Sequence, residues 1–316
     1  MIAIGGYFEL ELRNGETYHP TAIKLNTGRN ALEYILRERK YDKIHLPYFT
    51  CDVILEPLKK LNISFKFYSI NDQFEPILEV ENIPENEGFI LNNYFGLKDD
   101  LIYKYRNFSN LIVDNSQAFF SKPLKNVDTF YSPRKFFGIP DGGYLYINVN
   151  SQMQMKRDIS SDRFEHLLLR TEKGAEAGYR SFQINDENLE EQPILAMSLI
   201  TEKLLKSIDY NFVINRRCNN FKLLNQGLRK HNQFTHILKS DDVPMVYPFW
   251  SKNKSIREAL SSQLIFTAVY WPNVKNWCEP QTLEYRLADE VVYLPVDQRY
   301  GADEMNKILK IINDEL

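Results

Sequence analysis

The sequence lacks the motifs that mark the commonest cofactor, metal and hydrolase sites. Its three cysteines, Cys51, Cys218 and Cys278, lie far apart and have no C-x-x-C spacing. Neither G-x-G-x-x-G nor G-x-x-x-x-G-K-[ST] occurs, which excludes the standard dinucleotide and nucleoside-triphosphate loops. The absence of H-E-x-x-H and G-x-S-x-G, with five scattered histidines, argues against a zinc protease or a serine hydrolase. No metal site is expected.

Charge of one sign and long apolar runs are also missing. The formal net charge is only −3, and basic and acidic residues are mixed along the chain, so no surface is marked for nucleic acid or an anionic membrane. No apolar run approaches the roughly 18 residues of a membrane span, and the amino terminus lacks a basic, signal-like start. With an odd number of unpaired cysteines, the sequence indicates a cytoplasmic protein.

The 316 residues, 43% of them hydrophobic, are enough for a large core and favour two domains. Strand-like runs at 43–47, 63–68, 88–92 and 111–114 alternate with helical periodicity at 28–40 and 53–61. Repeated strand–helix units of this size predict an α/β fold with a mostly parallel sheet covered by helices on both faces.

The rest of the chain predicts helices and a second, smaller unit. Helical patterns cover 151–180 and 193–205, and a long helix is expected at 208–228. Strands at 244–249, 264–268 and 291–294, with helices at 255–260 and 302–312, then predict a small α+β carboxy-terminal domain. The expected division is a large domain at 1–215 and a small one at 216–316.

The stretch from 111 to 143 carries the candidate chemistry. An apolar run ends at Asp114, and the carboxyl ends of strands are where open α/β sheets bind ligands. Lys135 follows among the aromatic residues Tyr131, Phe136 and Phe137, where we expect its ammonium to lose hydration and become a nucleophilic amine. A strand-end carboxylate with such a lysine is what pyridoxal 5'-phosphate requires.

A second feature is the turn that opens the first helix at Gly28. Helix N-termini have unpaired amides and a positive dipole end, so a phosphate is favoured there. Arg29 could add a charge-assisted hydrogen bond to the same phosphate, or it could be a solvated arginine of the first turn.

These segments resemble the fold-type I pyridoxal-phosphate enzymes, and among them the DegT/DnrJ/EryC1/StrS sugar aminotransferases. T-G-R-N-A-L at 27–32 is similar to the family's phosphate loop, and V-D-N-S-Q-A at 113–118 to its E-D-x-A-Q-A segment. S-P-R-K at 132–135, followed by Gly142-Gly143, is similar to its lysine segment, and L-P-V-D-Q-R-Y at 294–300 to a run before its last helix. The order and spacing agree with the family.

The resemblance implies a residue-by-residue site. Lys135 would form the Schiff base with pyridoxal 5'-phosphate and act as general acid and base, Asp114 would keep the pyridine nitrogen protonated, and Gln117 would contact the ring hydroxyl. It also implies a homodimer that transfers an amino group from a donor such as glutamate to a nucleotide-linked keto sugar, in polysaccharide or amino-sugar biosynthesis. The cofactor-binding residues expected are Gly28, Arg29, Asp114, Gln117, Ser132 and Lys135.

The chain departs from the family pattern in the phosphate site. Phe130 stands where the family has a phosphate-binding serine, so Ser132 or Thr129 would replace it, with help from Arg29. The G-Y-N-x-R segment that reaches the neighbouring subunit's phosphate is not recognisable at 181–192.

Further departures concern the cofactor ring and the substrate. The stacking aromatic is replaced by Cys51, so Phe49, Tyr48 or Tyr94 would have to take its place, and N-N-Y-F-G at 92–96 lacks the family's histidine. Two alternatives therefore stay open: a pyridoxal-phosphate enzyme of another reaction, such as a dehydratase or decarboxylase, and a non-catalytic relative that keeps the fold.

Overall fold

The main element of the fold is an eight-stranded mixed sheet. The structure, a computed structural model, describes residues 4–150, 153–235, 238–251 and 253–316. Strand order is β1-β8-β7-β6-β5-β2-β3-β4, and the five central strands from β7 to β3 run parallel. These strands are β1 (Ile23–Leu25), β2 (Lys43–Pro47), β3 (Ser64–Ile70), β4 (Pro76–Ile77), β5 (Glu87–Asn92), β6 (Leu111–Asp114), β7 (Asp128–Tyr131) and β8 (Gly143–Tyr146).

Helices connect the strands and continue after the sheet. They are α1 (Gly28–Arg39), α2 (Leu55–Lys60), α3 (Asp99–Lys104), α4 (Glu165–Lys173), α5 (Ala175–Asn188), α6 (Leu199–Ser207), α7 (Tyr210–Leu228), α8 (Ile256–Ser262), α9 (Val274–Trp277), α10 (Leu283–Glu290) and α11 (Ala302–Glu315). Short 3₁₀ turns lie at Asp52–Ile54, Val80–Asn82, Tyr94–Gly96, Pro133–Lys135 and Ser161–Arg163.

The central strands are apolar on both faces, as a sheet covered on both sides requires. In β6, Ile112 packs into a core beneath α1 and α2, whereas Leu111 and Val113 pack into the larger core on the opposite face. Successive side chains of a strand point to opposite faces, so one continuous apolar run serves both cores. The polar residue that ends this run, Asp114, therefore lies at the edge of the sheet.

The carboxy-terminal part forms a second, two-stranded antiparallel sheet from β9 (Val246–Trp250) and β10 (Val291–Pro295). Helix α11 packs against α7 and α8 beside it. The buried residues of this part, such as Phe249 and Leu294, join the larger core of the main sheet.

The predicted fold class is confirmed, since the sheet is large, mostly parallel and flanked by helices. The predicted bounds of β2 and β6 agree with the structure, and those of α1, α7 and α11 differ by at most three residues. The strand predicted at 264–268 is wrong, because Ala268 makes only an isolated bridge to Tyr293. The helix predicted at 151–180 begins only at Glu165, apart from a 3₁₀ turn; residues 151–152 and His236 lie outside the described residues.

The predicted domain boundary at 215/216 falls inside α7, and the division stays a prediction. Among the described residues, no helix is long and apolar enough to cross a membrane.

Candidate active site

A cavity of about 180 Å³ lies where the central parallel strands end. Strands β5 and β6 contribute Asn92 and Asp114, which are directly paired in the sheet, and the turn after β7 contributes Lys135. This is the edge at which open α/β sheets bind ligands, because the loops that follow parallel strands meet there. The remaining walls include Thr27, Gly28, Arg29, Leu32, Thr50, Cys51, Val53, Ile54, Asn93, Ser116, Gln117, Phe130, Ser132, Arg134, Asp186 and Trp271.

The Asp114 carboxylate is held at the cavity by its own loop. The backbone N–H of Ser116 donates to Asp114 Oδ1 at 2.7 Å, which fixes one oxygen. Burial raises the pKa of the Asp114 carboxyl, while the Lys135 ammonium and the Ser116 hydrogen bond act in the opposite direction. A cationic group bound in the cavity would therefore find an oriented carboxylate that lacks full hydration.

Lys135 lies at the end of the Pro133–Lys135 turn, at the cavity, but its surroundings are not those predicted. The side chain is exposed, so the desolvated ammonium expected from its neighbours is wrong. Phe136 and Phe137 are only 4% and 8% exposed, because they point into the core. Consecutive residues of a turn point in different directions, and aromatic neighbours in sequence therefore did not become neighbours of the amine.

Two buried amides at the cavity have unused hydrogen-bonding groups. Gln117 Oε1 accepts from the Phe95 N–H at 3.2 Å, and Asn92 Nδ2 donates to Thr50 Oγ1 at 3.1 Å. Within the described residues, Gln117 Nε2 and Asn92 Oδ1 have no partner. Buried polar groups are almost always paired, so unpaired ones at a cavity indicate a place where a ligand can bind. Gln117 was predicted from the sequence, whereas Asn92 was not assigned a role.

The first turn of α1 forms another wall of the cavity. Thr27 caps the helix through its side chain, which accepts from the N–H of Asn30 at 3.0 Å, and helix geometry gives the first-turn N–H groups of Gly28 and Arg29 no intrahelical partner. A Cβ on Gly28 would lie 3.5 Å from the Ser132 Cβ, so the helix start and the lysine turn are in close proximity.

Gly143 makes this proximity possible. A side chain there would overlap the Thr27 carbonyl, so only glycine lets β8 approach the turn before α1. Of the two proposed replacements for the family's serine, Ser132 lines the cavity, whereas the Thr129 hydroxyl donates to the Val127 carbonyl at 3.1 Å. Phe130 also lines the cavity but has no hydrogen-bond donor on its side chain.

Two arginines lie at the cavity, and the sequence analysis gave a role to only one of them. Arg29 lines the cavity as expected, and its Nη1 donates to Glu56 Oε2 at 2.8 Å. Arg134, immediately before Lys135, was not predicted to contribute; its Nη2 donates to Asp186 Oδ1 at 3.0 Å. An ion pair with a residue 52 positions away has no local sequence signal, which is why it was missed.

The aromatic residue at the cavity also differs from those expected. Tyr48 stacks on Phe67, with ring centres 4.8 Å apart, while Phe49 and Tyr94 are fully buried and pack on each other. Trp271, from the carboxy-terminal part of the chain, lines the cavity instead.

No group of histidine, cysteine or acidic residues suited to a metal ion occurs in the part of the chain that the structure describes. The three cysteines are free thiols.

The residues at this cavity fit pyridoxal 5'-phosphate. The carboxylate of Asp114 suits a protonated pyridine nitrogen, the unpaired Gln117 Nε2 suits the ring hydroxyl, and the amine of Lys135 suits the aldehyde carbon. The unpaired N–H groups at the start of α1 suit the phosphate.

Comparison with known proteins supports the fold. No protein-family model and no curated protein matches the sequence. Among solved structures, the PLP form of a Streptococcus pneumoniae protein assigned as a sugar aminotransferase is similar, with a TM-score of 0.64 and 16% identity over 94% of this chain and 88% of that one.

Two further structures are similar to the same extent. A DegT DnrJ EryC1 StrS aminotransferase from Brucella abortus has a TM-score of 0.61 and 15% identity over 93% of this chain and 85% of its own. DesV from S. venezuelae has a TM-score of 0.64 and 14% identity over 93% and 84%. At such identities the likeness shows that the chain has the fold of these aminotransferases.

Proposed function

We propose that this chain is a pyridoxal-phosphate-dependent aminotransferase that moves an amino group from an amino acid such as glutamate to a nucleotide-linked keto sugar. The observation that carries the proposal is the meeting of Asp114, Lys135 and the unpaired Gln117 Nε2 around one cavity at the carboxyl edge of a parallel sheet. The structural similarity of this chain to the aminotransferases extends over nearly its whole length and supports the same proposal.

The cofactor would be held from several sides by residues of this chain. Lys135 would attach to it through Nζ, Asp114 would bind the pyridine nitrogen, and Gln117 would donate to the ring hydroxyl. Ser132 and the N–H groups of Gly28 and Arg29 would hold its phosphate. When bound, pyridoxal 5'-phosphate supplies an electron sink that makes a proton on the carbon next to the substrate nitrogen removable.

Lys135 and Asp114 then have distinct tasks. Because the Lys135 side chain is exposed at the cavity, its Nζ would be free to take a proton from the carbon that bears the donor nitrogen and to deliver a proton to the carbon where the new C–H bond forms. The Ser116 N–H orients the Asp114 carboxylate, whose negative charge would favour a proton on the pyridine nitrogen of the bound cofactor.

The wider setting is part of the proposal. We expect a cytoplasmic enzyme of polysaccharide or amino-sugar biosynthesis, a homodimer with its active sites at the subunit boundary. The free state of all three cysteines fits a reducing compartment.

Covalent labelling tests the cofactor and the lysine together. Purified protein is mixed with pyridoxal 5'-phosphate, its absorbance is recorded, and borohydride reduction is followed by peptide mapping. The pyridoxyl group should be found on Lys135 and be absent from Lys135→Ala, while Lys125→Ala, a change at another exposed lysine, should label normally. A label on a different lysine, or no label, would overturn the assignment.

The reaction is tested separately with cofactor-loaded protein that has not been reduced with borohydride. Glutamate and a panel of nucleotide-linked keto sugars are supplied, and formation of the oxo acid and the amino sugar is followed. We expect both products in equal amounts with at least one acceptor. Release of water or carbon dioxide from a substrate without amino transfer would favour the dehydratase or decarboxylase alternative, and labelling without any turnover would favour the non-catalytic one.

A further inference from the structure

The two arginines of the cavity approach it from different parts of the chain. Arg29 belongs to the first turn of α1, and Arg134 to the turn that carries Lys135. The close approach of Gly28 to Ser132 brings these two backbone segments together. Both guanidinium groups are largely withdrawn from solvent, with side-chain exposures of 11% and 15%.

Neither guanidinium is fully used by the protein. Arginine has five N–H donors. Arg29 bonds to Glu56 through Nη1, and Arg134 to Asp186 through Nη2. The Nε of Arg134 is buried and has no acceptor within the described residues. An unpaired buried donor on a charged group is costly, so an acceptor is expected in the cavity beside it.

Each arginine at this end of the cavity faces one carboxylate, Glu56 for Arg29 and Asp186 for Arg134. Burial lowers the pKa of Arg134, and the nearby charge of Arg29 acts in the same direction, against the effect of Asp186. Asp186 is 54% exposed, so its attraction is screened by water and compensates the guanidinium only weakly. The unpaired N–H groups at the start of α1 add positive potential on the same side.

We propose that Arg29 and Arg134 together form the binding site for a phosphate monoester dianion, with Arg134 supplying the donors that Phe130 cannot. The proposal rests on the proposed function insofar as the monoester is the phosphate of pyridoxal 5'-phosphate. Two planar guanidinium groups suit a dianion with three terminal oxygens better than a singly charged carboxylate, because each can donate to a different oxygen.

Ligand binding with and without the phosphate tests the site. Dissociation constants for pyridoxal 5'-phosphate and for pyridoxal are measured by absorbance for the wild type, Arg29→Gln and Arg134→Gln. Each variant should weaken pyridoxal 5'-phosphate about ten-fold or more, at about 1.4 kcal/mol per decade. Binding of pyridoxal should change less than two-fold. Equal weakening of both ligands, or of neither, would overturn the proposal.

A charge-neutralising change sharpens the same test. Asp186→Asn retains an oxygen that can accept from Arg134 but removes the negative charge that is paired with its guanidinium. It should tighten pyridoxal 5'-phosphate several-fold without affecting pyridoxal. The matched control is Glu187→Gln, on the same helix, which neutralises an exposed carboxylate whose ion pair with Arg180 lies on the surface. Weaker binding of pyridoxal 5'-phosphate by Asp186→Asn would mean that Arg134 serves the ion pair with Asp186 and not the ligand.

Inorganic phosphate separates this proposal from the proposed function. Inorganic phosphate alone should give the wild type a higher melting temperature than a buffer of equal ionic strength that contains neither phosphate nor sulfate. Arg134→Gln should lose most of that increase. If phosphate stabilises the protein but Lys135 is never labelled, the anion site stands and the proposed function fails. If Lys135 is labelled but phosphate gives no Arg134-dependent gain, the proposed function stands and the anion site fails.

Discussion

Arg134 at the cavity and Arg217 on α7 are two arginines largely withdrawn from solvent, and they differ in how fully the protein satisfies their donors. Burial lowers the pKa of both guanidinium groups, that of Arg217 to about 10. Arg217 Nε donates to Gln298 Oε1 at 3.0 Å, and its Nη1 donates to the carbonyls of Pro244 and Met245, both at 3.2 Å.

Arg217 also lies against the ring of Phe136, 4.6 Å from its centre, and Gln298 Nε2 donates to the Phe136 carbonyl at 2.8 Å. Phe136, which follows the turn that carries Lys135, is thus anchored on the interior side by the Arg217 guanidinium and by a hydrogen bond from Gln298. On the cavity side of the turn, Arg134 has one exposed carboxylate and an unpaired Nε. The difference indicates that changes facing the cavity should affect function and leave stability intact, whereas changes facing the interior should do the reverse.

The largest functional effect is expected at Lys135. Lys135→Ala should abolish both covalent attachment of the cofactor and amino transfer, because the amine has no substitute. Since the side chain is exposed, the free energy of unfolding in urea should change by no more than about 0.5 kcal/mol. A substantial loss of stability would contradict the division between cavity and interior.

Asp114→Asn should retain the label at Lys135 but lose about 100-fold or more in turnover number, because a neutral amide does not keep the pyridine nitrogen protonated. Steady-state kinetics of cofactor-loaded protein that has not been reduced with borohydride measures this turnover number. Near-normal turnover would mean that the carboxylate is only a structural residue.

The same variant has a predicted effect on stability, with a definite sign. Burial raises the pKa of Asp114, so its stabilising contribution is present at low pH and lost as pH rises through that raised value. Without cofactor, Asp114→Asn should therefore melt at a higher temperature than the wild type at pH 7, and the difference should vanish near pH 3. A lower melting temperature at pH 7 would contradict the burial cost.

Arg217→Met should lower the free energy of unfolding by about 3 kcal/mol, because Gln298 and two buried carbonyls lose their donor. Arg134→Met is the matched control and should cost less than about 1 kcal/mol, because the Asp186 left behind is exposed to water. Urea denaturation of both variants measures the contrast. Equal losses in the free energy of unfolding would contradict the difference between cavity and interior.

The smallest effect is expected at His19, in the aromatic interior beside Phe119 and Tyr131. Burial lowers the pKa of His19 to about 4. The contribution of neutral His19 to stability is complete above its unfolded pKa and is lost as pH falls towards 4. At pH 5 the loss amounts to about 2 kcal/mol. Between pH 7 and pH 5, the free energy of unfolding of His19→Gln should therefore fall less than that of the wild type in urea titrations. An identical pH dependence of the two proteins would contradict a neutral buried histidine.

Much of the fold could be predicted because its signals are local. The apolar run at Leu111–Asp114 and the helical spacing after Gly28 gave correct elements, since side-chain periodicity depends only on neighbouring residues. Strand β7 (Asp128–Tyr131) was not predicted, and neither was β8 (Gly143–Tyr146). Both are four residues long, and their pairing is decided by the sheet.

The sequence by itself determined which groups this protein has for chemistry: a carboxylate at a strand end, a lysine in a turn and an open helix start, in that order. The tertiary structure alone decided how each is used. It exposed Lys135, brought Trp271 to the cavity, and gave Arg217 acceptors from 27, 28 and 81 residues away while leaving Arg134 Nε with none. Burial and hydrogen-bond satisfaction depend on contacts between distant segments, and no local pattern of residues encodes them.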